Sequence, residues 1–314
     1  VKRAQRIRPN SGEVRINPDL GARPSWMRVT MPQTGRVTEL EQLIHEKKLH
    51  TVCESASCPN RGECWAAGTA TLMILGNICT RSCGFCAVKT GRPTELDLAE
   101  PARVADAVES MNLRYVVITS VDRDDLKDGG SGVWAKTIEA VRERCPQTGI
   151  EVLIPDFQGK HEDQARVFAA RPHVLAHNLE TVKRLHATVR PQARYQRSLD
   201  VLSRAKDAGL VAKSGMMLGL GETTAEVLEA MRDLRAAGCD VLTLGQYLQP
   251  SREHLPIERW VHPDEFASLR EQALAMGFSK CDSGPLVRSS YHAEGVIAPD
   301  SPLAEVVAKA IGQA

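Results

Sequence analysis

The chain has 314 residues, 42% of them hydrophobic and only 4% aromatic, with 40 Lys and Arg against 39 Asp and Glu for a formal net charge of +1. That length can bury a large core in one α/β domain or two smaller ones, and the even charge balance and scarcity of rings argue against a general nucleic-acid binder. No stretch approaches the roughly 18 apolar residues of a membrane span, and nine cysteines in a chain this large point to metal chemistry rather than disulfide staples.

The opening VKRAQRIRPN is basic without an apolar segment, so it reads as a solvated tail, or the remnant of an organelle presequence, and not as a secretory signal. A cytoplasmic protein is expected, or an organellar one in a eukaryote. RPSWMR (23–28) is extended by its proline, and VTELEQLIHEKKLH has the periodicity of an amphipathic helix. Six of the nine cysteines follow, between Cys53 and Cys86. From TLMILGN onward the chain alternates short apolar strands with helical stretches. The later strands are YVVITS (115–120), IEVLIP (150–155), HVLAHN (173–178), LVAKSGMML (210–218) and DVLTLG (240–245). Among the helices between them, SLDVLSRAKDAG and TTAEVLEAMRDLRAAG stop at Gly209 and Gly238. Repeated βα units predict parallel strands joined by crossovers, either a doubly wound sheet or a partial (β/α)6 TIM-like barrel. Both put reactive groups at the carboxyl ends of the strands. Polar segments gather there: Cys79 after the first strand, DRDDLKDGG after the second, HNLET after the fourth, GLGET after the fifth and QYLQPS after the sixth. The barrel reading divides the chain into an N-terminal extension with a cluster-bearing loop (1–70), a partial barrel (71–280) and a C-terminal tail with the RSSY motif (281–314).

CTRSCGFC places Cys79, Cys83 and Cys86 at C-x3-C-x2-C. A structural zinc wants four ligands in a closed tetrahedron, and a dithiol redox site leaves Cys79 unexplained. A 4Fe-4S cube held by three thiolates keeps one iron open for a small molecule. This spacing, in a loop after the first strand of a βα series, resembles the radical S-adenosylmethionine (SAM) superfamily, and Phe85 matches its aromatic residue before the last cysteine. The resemblance implies that the open iron chelates SAM. One-electron cleavage then gives methionine and a 5′-deoxyadenosyl radical, which takes hydrogen from an unactivated C–H bond.

CESASCPNRGEC sets Cys53, Cys58 and Cys64 at C-x4-C-x5-C. Spacing alone leaves two readings, a zinc knuckle completed by His50 or a distant cysteine, or a second iron–sulfur cluster. The two triads in this order are similar to those of the lipoyl synthases. RPSWMR, PNRGECW, TSVDRDDLKDGG, LIPDFQG, LAHNLET, MLGLGET, QYLQPS and GPLVRSSYHA match that family in sequence, across roughly residues 20 to 295. The resemblance implies insertion of two sulfur atoms at carbons 6 and 8 of a protein-bound octanoyl-lysine, with SAM and two 4Fe-4S clusters as cofactors. The second cluster is the sulfur donor. It also implies octanoylated lipoyl-carrier domains as substrates (the glycine cleavage H protein and E2 subunits of 2-oxoacid dehydrogenases) and a flavodoxin or ferredoxin as electron donor. A serine of VRSSYHA completes the second cluster in the family. Ser290 is assigned here, with Ser289 as the alternative and Cys281 as a rival fourth thiolate. An oxygen ligand on iron is harder and more readily displaced than thiolate, which suits a cluster that gives up sulfide. For SAM, Asn178, Glu180, Lys213 and Met217 are the candidate contacts beside Phe85. GLGE lacks the third glycine of a dinucleotide fingerprint, and DRDDLKDGG lacks EF-hand spacing. Cys145, Cys239, His161, His173 and His186 read as packing or ordinary hydrogen-bonding residues, and Trp65 as packing for the N-terminal loop. A monomer without nucleic-acid or membrane partners is expected.

Overall fold

The computed structural model describes residues 17–28, 35–47, 49–55, 58–298 and 300–310. The basic stretch VKRAQRIRPN lies outside them. The strands in chain order are β1 (His50–Thr51), β2 (Thr69–Ile74), β3 (Ile78–Cys79), β4 (Lys89–Thr90), β5 (Tyr115–Ser120), β6 (Gly149–Leu153), β7 (Val174–Ala176), β8 (Val211–Leu218), β9 (Val241–Gln246) and β10 (Lys280–Gly284). One sheet runs β1-β2-β5-β6-β7-β8-β9-β10, every neighbouring pair from β2 onward being parallel and β1 antiparallel on β2. β3 and β4 form a separate two-stranded ribbon. The six expected strands are all present in the expected order.

Side chains alternate across this sheet, as a pleat requires. Ala70, Leu72 and Ile74 of β2 join Val116 and Ile118 of β5 in the core beneath α4 (Glu100–Ser110) and α5 (Ser131–Arg144). Ala212, Met216 and Leu218 of β8 pack with Leu242 and Leu244 of β9 under α9 (Thr224–Ala236) and α10 (Pro263–Ala275). Each such fully buried Val, Leu, Ile or Met side chain contributes about 1.5–3 kcal/mol. The opposite face, including Thr69, Thr71, Glu151 and Lys213, turns into the half-barrel. The helices end where the sequence says they should. α9 opens with a Thr223–Glu226 capping box, and Gly209 and Gly238 take φ of +76° and +83° just past α8 (Tyr195–Asp207) and α9.

β10 is a seventh parallel strand that the apolar pattern does not announce. KCDSG has one apolar residue, Cys281, which is buried outward against α10. Lys280 pairs with Asp282 at 2.5 Å, and the Ser283 hydroxyl donates to the carbonyl of Phe266. Pairing with β9 defines the strand, and it straddles the expected boundary between barrel and tail. Beyond it the chain runs back along the open side of the barrel. Asn60 donates to the carbonyl of Leu286 at 2.7 Å, and the Tyr291 hydroxyl to Glu63 at 3.2 Å. Thr69 donates to Glu294 at 3.1 Å. Ala293 packs on Tyr115 and Val117. Leu303 and Val307 then cover Val174, Val211 and Val241, the first residues of β7, β8 and β9. The N-terminal extension and the C-terminal segment therefore meet over β2, the first of the parallel strands.

Candidate active site

The β3–β4 ribbon closes the base of the cysteine loop, with Gly91 N–H donating to the carbonyl of Cys79. Three contacts then fix its tip. Gly84 donates to the carbonyl of Val189 and accepts from Leu255, both at 2.9 Å, and a ring nitrogen of His254 lies 3.0 Å from the carbonyl of Cys86. A Cβ on Gly84 would come within 2.8 Å of Leu255, so only glycine lets the loop approach this closely. The Cys79 sulfur receives backbone N–H groups from Arg81 (3.4 Å) and Asp122 (3.3 Å), donors suited to a thiolate. Burial pushes the Cys79 and Cys83 thiols up to about 12 and Cys86 to about 11. At neutral pH the metal-free chain therefore keeps these thiols protonated, and iron must displace the protons to bind.

Arg81, between the first two cysteines, is 4% exposed and is held from three directions. Its guanidinium bonds Asp124 at 2.7 and 2.8 Å and Asp156 at 2.7 Å, and lies 3.2 Å from Asp122. Asp122 and Asp124 follow β5 and Asp156 follows β6, so carboxyl-end loops of two strands hold the cysteine loop over the barrel mouth. Burial raises the Asp122 carboxyl to about 6 against the pull of Arg81. Burial acts the same way on Asp156, but there the Arg81 guanidinium wins and holds it well below the usual carboxylate range. The remaining acids of DRDDLKDGG are accounted for locally: Asp125 pairs with Arg123, and Asp128 accepts the N–H groups of Gly130 and Gly132 at the start of α5.

Asn178 and Glu180 extend the ladder beyond β7. Glu180 N–H donates to the carbonyl of Gly215 and Met217 N–H to that of Glu180, both at 2.9 Å. The Asn178 amide donates to Glu180 at 3.1 Å, while its Oδ1 is buried without a partner, as is the Ser120 Oγ at the end of β5. Burial raises the Glu180 carboxyl, opposed by Arg190. The Asp122 and Glu180 carboxylates both act on Cys83 and Cys86, so these groups share one electrostatic environment. Phe85 and Met217 pack in one apolar cluster with Val189, Leu220 and Tyr247. Unpartnered polar atoms, a buried carboxylate and an apolar face beside three thiols fit a ligand that is part amino acid and part nucleoside.

Lys213 is a correction to the expected set. It lies near the amino end of β8, 1% exposed, with its Nζ bound to both oxygens of Glu151 at 2.8 and 3.0 Å. Glu151 also accepts from the Tyr115 hydroxyl at 3.0 Å. Lys213 is thus held in a buried ion pair inside the barrel. The residues missed from the sequence are Arg81, Asp122, Asp124, Asp156, Arg190 and Ser120. The spacer positions inside a cysteine motif and the acids of a polar loop draw no attention until their partners are known.

A second cavity gathers the other triad. Cys53 on α2 (Val52–Ser55), Cys58, and Cys64 on α3 (Arg61–Ala66) share its wall with Ser290, Arg288 and Thr71. Among the described residues Ser289 and His50 do not line it, and Cys281 faces the outer core from β10. Burial raises the Cys53 thiol and pushes Cys64 to about 12. Trp65 is fully buried in the main core and anchors α3. Among the described residues no three His, Cys, Asp or Glu side chains are gathered to hold a single metal ion. Three thiols and a hydroxyl around one cavity fit an iron–sulfur cube with one hard ligand. Thr69 and Thr71 of β2 reach this cavity, whereas Cys79 lies beyond the carboxyl end of the same strand, so β2 stands between the two triads.

Residues 73–244 match the family model of the radical SAM superfamily. The chain is 55% identical over 273 residues to the lipoyl synthase of Flavobacterium psychrophilum, covering 87% of this chain and 94% of that protein. It is 56% identical over 273 residues to the lipoyl synthase of Rubrobacter xylanophilus, covering 86% and 85%. Among solved structures, methylornithine synthase PylB superposes with a TM-score of 0.52 at 13% identity, covering 87% of this chain and 91% of that one. HydG, a hydrogenase maturase, gives 0.51 at 14% identity, covering 82% and 73%. At these identities the two structures speak for the fold alone.

Proposed function

The chain belongs to the lipoyl synthases of the radical SAM superfamily, and from that premise we propose that its two cysteine triads divide the work of sulfur insertion. The reaction adds sulfur at carbons 6 and 8 of an octanoyl chain carried on a protein lysine. Cys79, Cys83 and Cys86 are the proposed ligands of the 4Fe-4S cluster that works with SAM. Together, SAM and cluster supply an oxidant able to take hydrogen from an unactivated C–H bond. The protein's own share is placement and exclusion of water. Arg81 fixes the cysteine loop, Asn178 and Glu180 orient the polar groups of SAM, and Phe85 and Met217 shield the reacting carbon.

Cys53, Cys58, Cys64 and Ser290 are the proposed ligands of the second 4Fe-4S cluster, the sulfur source. The single observation that carries this reading is Ser290 sharing a cavity wall with all three of those cysteines, across β2 from the Cys79 loop. The octanoyl chain then lies inside the half-barrel between the triads. The proposed carriers are the glycine cleavage H protein and the E2 subunits of 2-oxoacid dehydrogenases, and the proposed electron donor is a flavodoxin or ferredoxin.

Purification without oxygen, metal analysis and turnover of an octanoyl-lysine peptide test this. The wild type is expected to carry about eight iron and no zinc. Ser290→Cys is expected to keep that iron and still form 5′-deoxyadenosine, while thiolated product falls about tenfold or more, equivalent to about 1.4 kcal/mol on the barrier. Full-rate product from Ser290→Cys would refute the displaceable-ligand role, and about four iron with zinc would refute the second cluster.

A further inference from the structure

We infer that Arg288 is the countercharge of the second cluster, a positioning residue whose guanidinium stabilises the cluster's negative charge in the cavity shared by Cys58 and Ser290. This rests on the proposed cluster site and concerns the arginine that opens the RSSY motif, in which only a serine has so far been given a role.

The argument begins with charge. A cube held by three thiolates and a serine oxygen carries more negative ligand charge than its iron core offsets, and a buried anion without a cation nearby is costly. Two guanidiniums line the cavity, Arg61 and Arg288. Arg61 is already committed, paired with Glu41 at 2.9 Å and set over the Trp65 ring at 5.5 Å from its centroid. Arg288 is half-buried, and its hydrogen bond among the described residues goes to a neutral acceptor, the carbonyl of Val287 at 2.7 Å. The two most deeply buried arginines are matched by carboxylates, Arg81 by three and Arg123 by Asp125. Among the described residues Arg288 has no carboxylate partner, and it faces a cavity walled by thiols.

Its backbone is also firmly seated. The Val287 carbonyl lies over Gly245, where an added Cβ would sit 2.1 Å from that oxygen and 3.4 Å from Arg288 Nη1. The guanidinium is therefore aimed from a fixed base, two residues before Ser290. An arginine stays charged throughout the physiological range, so it stabilises the anion without a protonation step.

The test compares wild type, Arg288→Lys and Arg288→Gln holoenzymes by potentiometry followed with electron paramagnetic resonance. The part of the reduced spectrum that responds to SAM reports the Cys79 cluster, and the unresponsive part the second cluster. Arg288→Gln is expected to move the second cluster's midpoint to lower potential and speed chelator extraction of its iron, with the SAM-responsive signal unmoved. Arg288→Lys is expected to restore most of both. A second-cluster midpoint unchanged in Arg288→Gln at full iron loading overturns the inference, as does a joint shift of both clusters, which marks general disturbance. An unchanged midpoint with a raised KM for octanoyl peptide overturns it in favour of a substrate contact. A wild type with only one cluster sinks the site reading itself, whereas two clusters with an unmoved midpoint sink this inference alone.

Discussion

Arg81 shows how one side chain can set a whole loop. Three carboxylates from two loops converge on a guanidinium that is 4% exposed, so the pairing is desolvated and its loss leaves buried charges uncompensated. Breaking such a network costs about 3–5 kcal/mol. Arg81→Gln is expected to drop iron from about eight to about four per chain and abolish 5′-deoxyadenosine formation, as read by metal analysis and chromatography. His177 carries a different consequence. It is 1% exposed, its Nδ1 lies 2.8 Å from the carbonyl of Ile154 and its Nε2 3.0 Å from the Ser198 hydroxyl. Burial, with Arg190 acting the same way, pushes it from 6.5 down to about 4. The unfolded chain therefore takes up this proton first. The stability linked to His177 is intact above 6.5 and is lost as pH falls toward about 4, at about 1.4 kcal/mol per pH unit. His177→Gln is expected to flatten that slope in urea denaturation compared at about pH 5 and about pH 7.

Among the elements, β10 and the segment after it govern the second site. The parallel pairing Gly245↔Gly284 brings two glycines side by side, and the chain turns there so that the Val287 carbonyl lies on Gly245. Nothing larger than hydrogen fits between them. Gly245→Ala is expected to lift residues 285–290 away from Cys53, Cys58 and Cys64. The variant should still cleave SAM but lose about tenfold or more of thiolated peptide, equivalent to about 1.4 kcal/mol on the barrier and read by mass spectrometry. Equal loss of both activities would mean that Gly245 serves the Cys79 loop instead. Asn60 reinforces the same arrangement from the N-terminal side by its bond to Leu286.

At the scale of the molecule, a partial barrel is left open along one side, and the N-terminal extension and the segment after β10 meet at that opening. The extension supplies three thiols and the tail supplies the serine and arginine, over a strand whose far end feeds the other triad. β2 runs six residues, so at about 3.3 Å per residue the two proposed clusters should sit on the order of 17 Å apart. Dipolar coupling between the reduced clusters measures this, and coupling at contact distance would refute the arrangement.

The sequence by itself determined the six strands of the expected barrel, the helix stops at Gly209 and Gly238, and both cysteine spacings, because each is a local pattern of period, cap or ligand geometry. It also carried the family resemblance, since Cys79, Cys83, Cys86 and the Cys53 triad lie in contiguous motifs. Tertiary structure alone decided what depends on distant partners. It made KCDSG a strand through pairing with β9, took Lys213 from the mouth to Glu151, and set three aspartates on Arg81. It also placed Ser290, and not Ser289, on the cavity of the Cys53 triad. Local periodicity records which face a residue turns inward, but the partner it meets there comes from elsewhere in the chain, and only packing brings the two together.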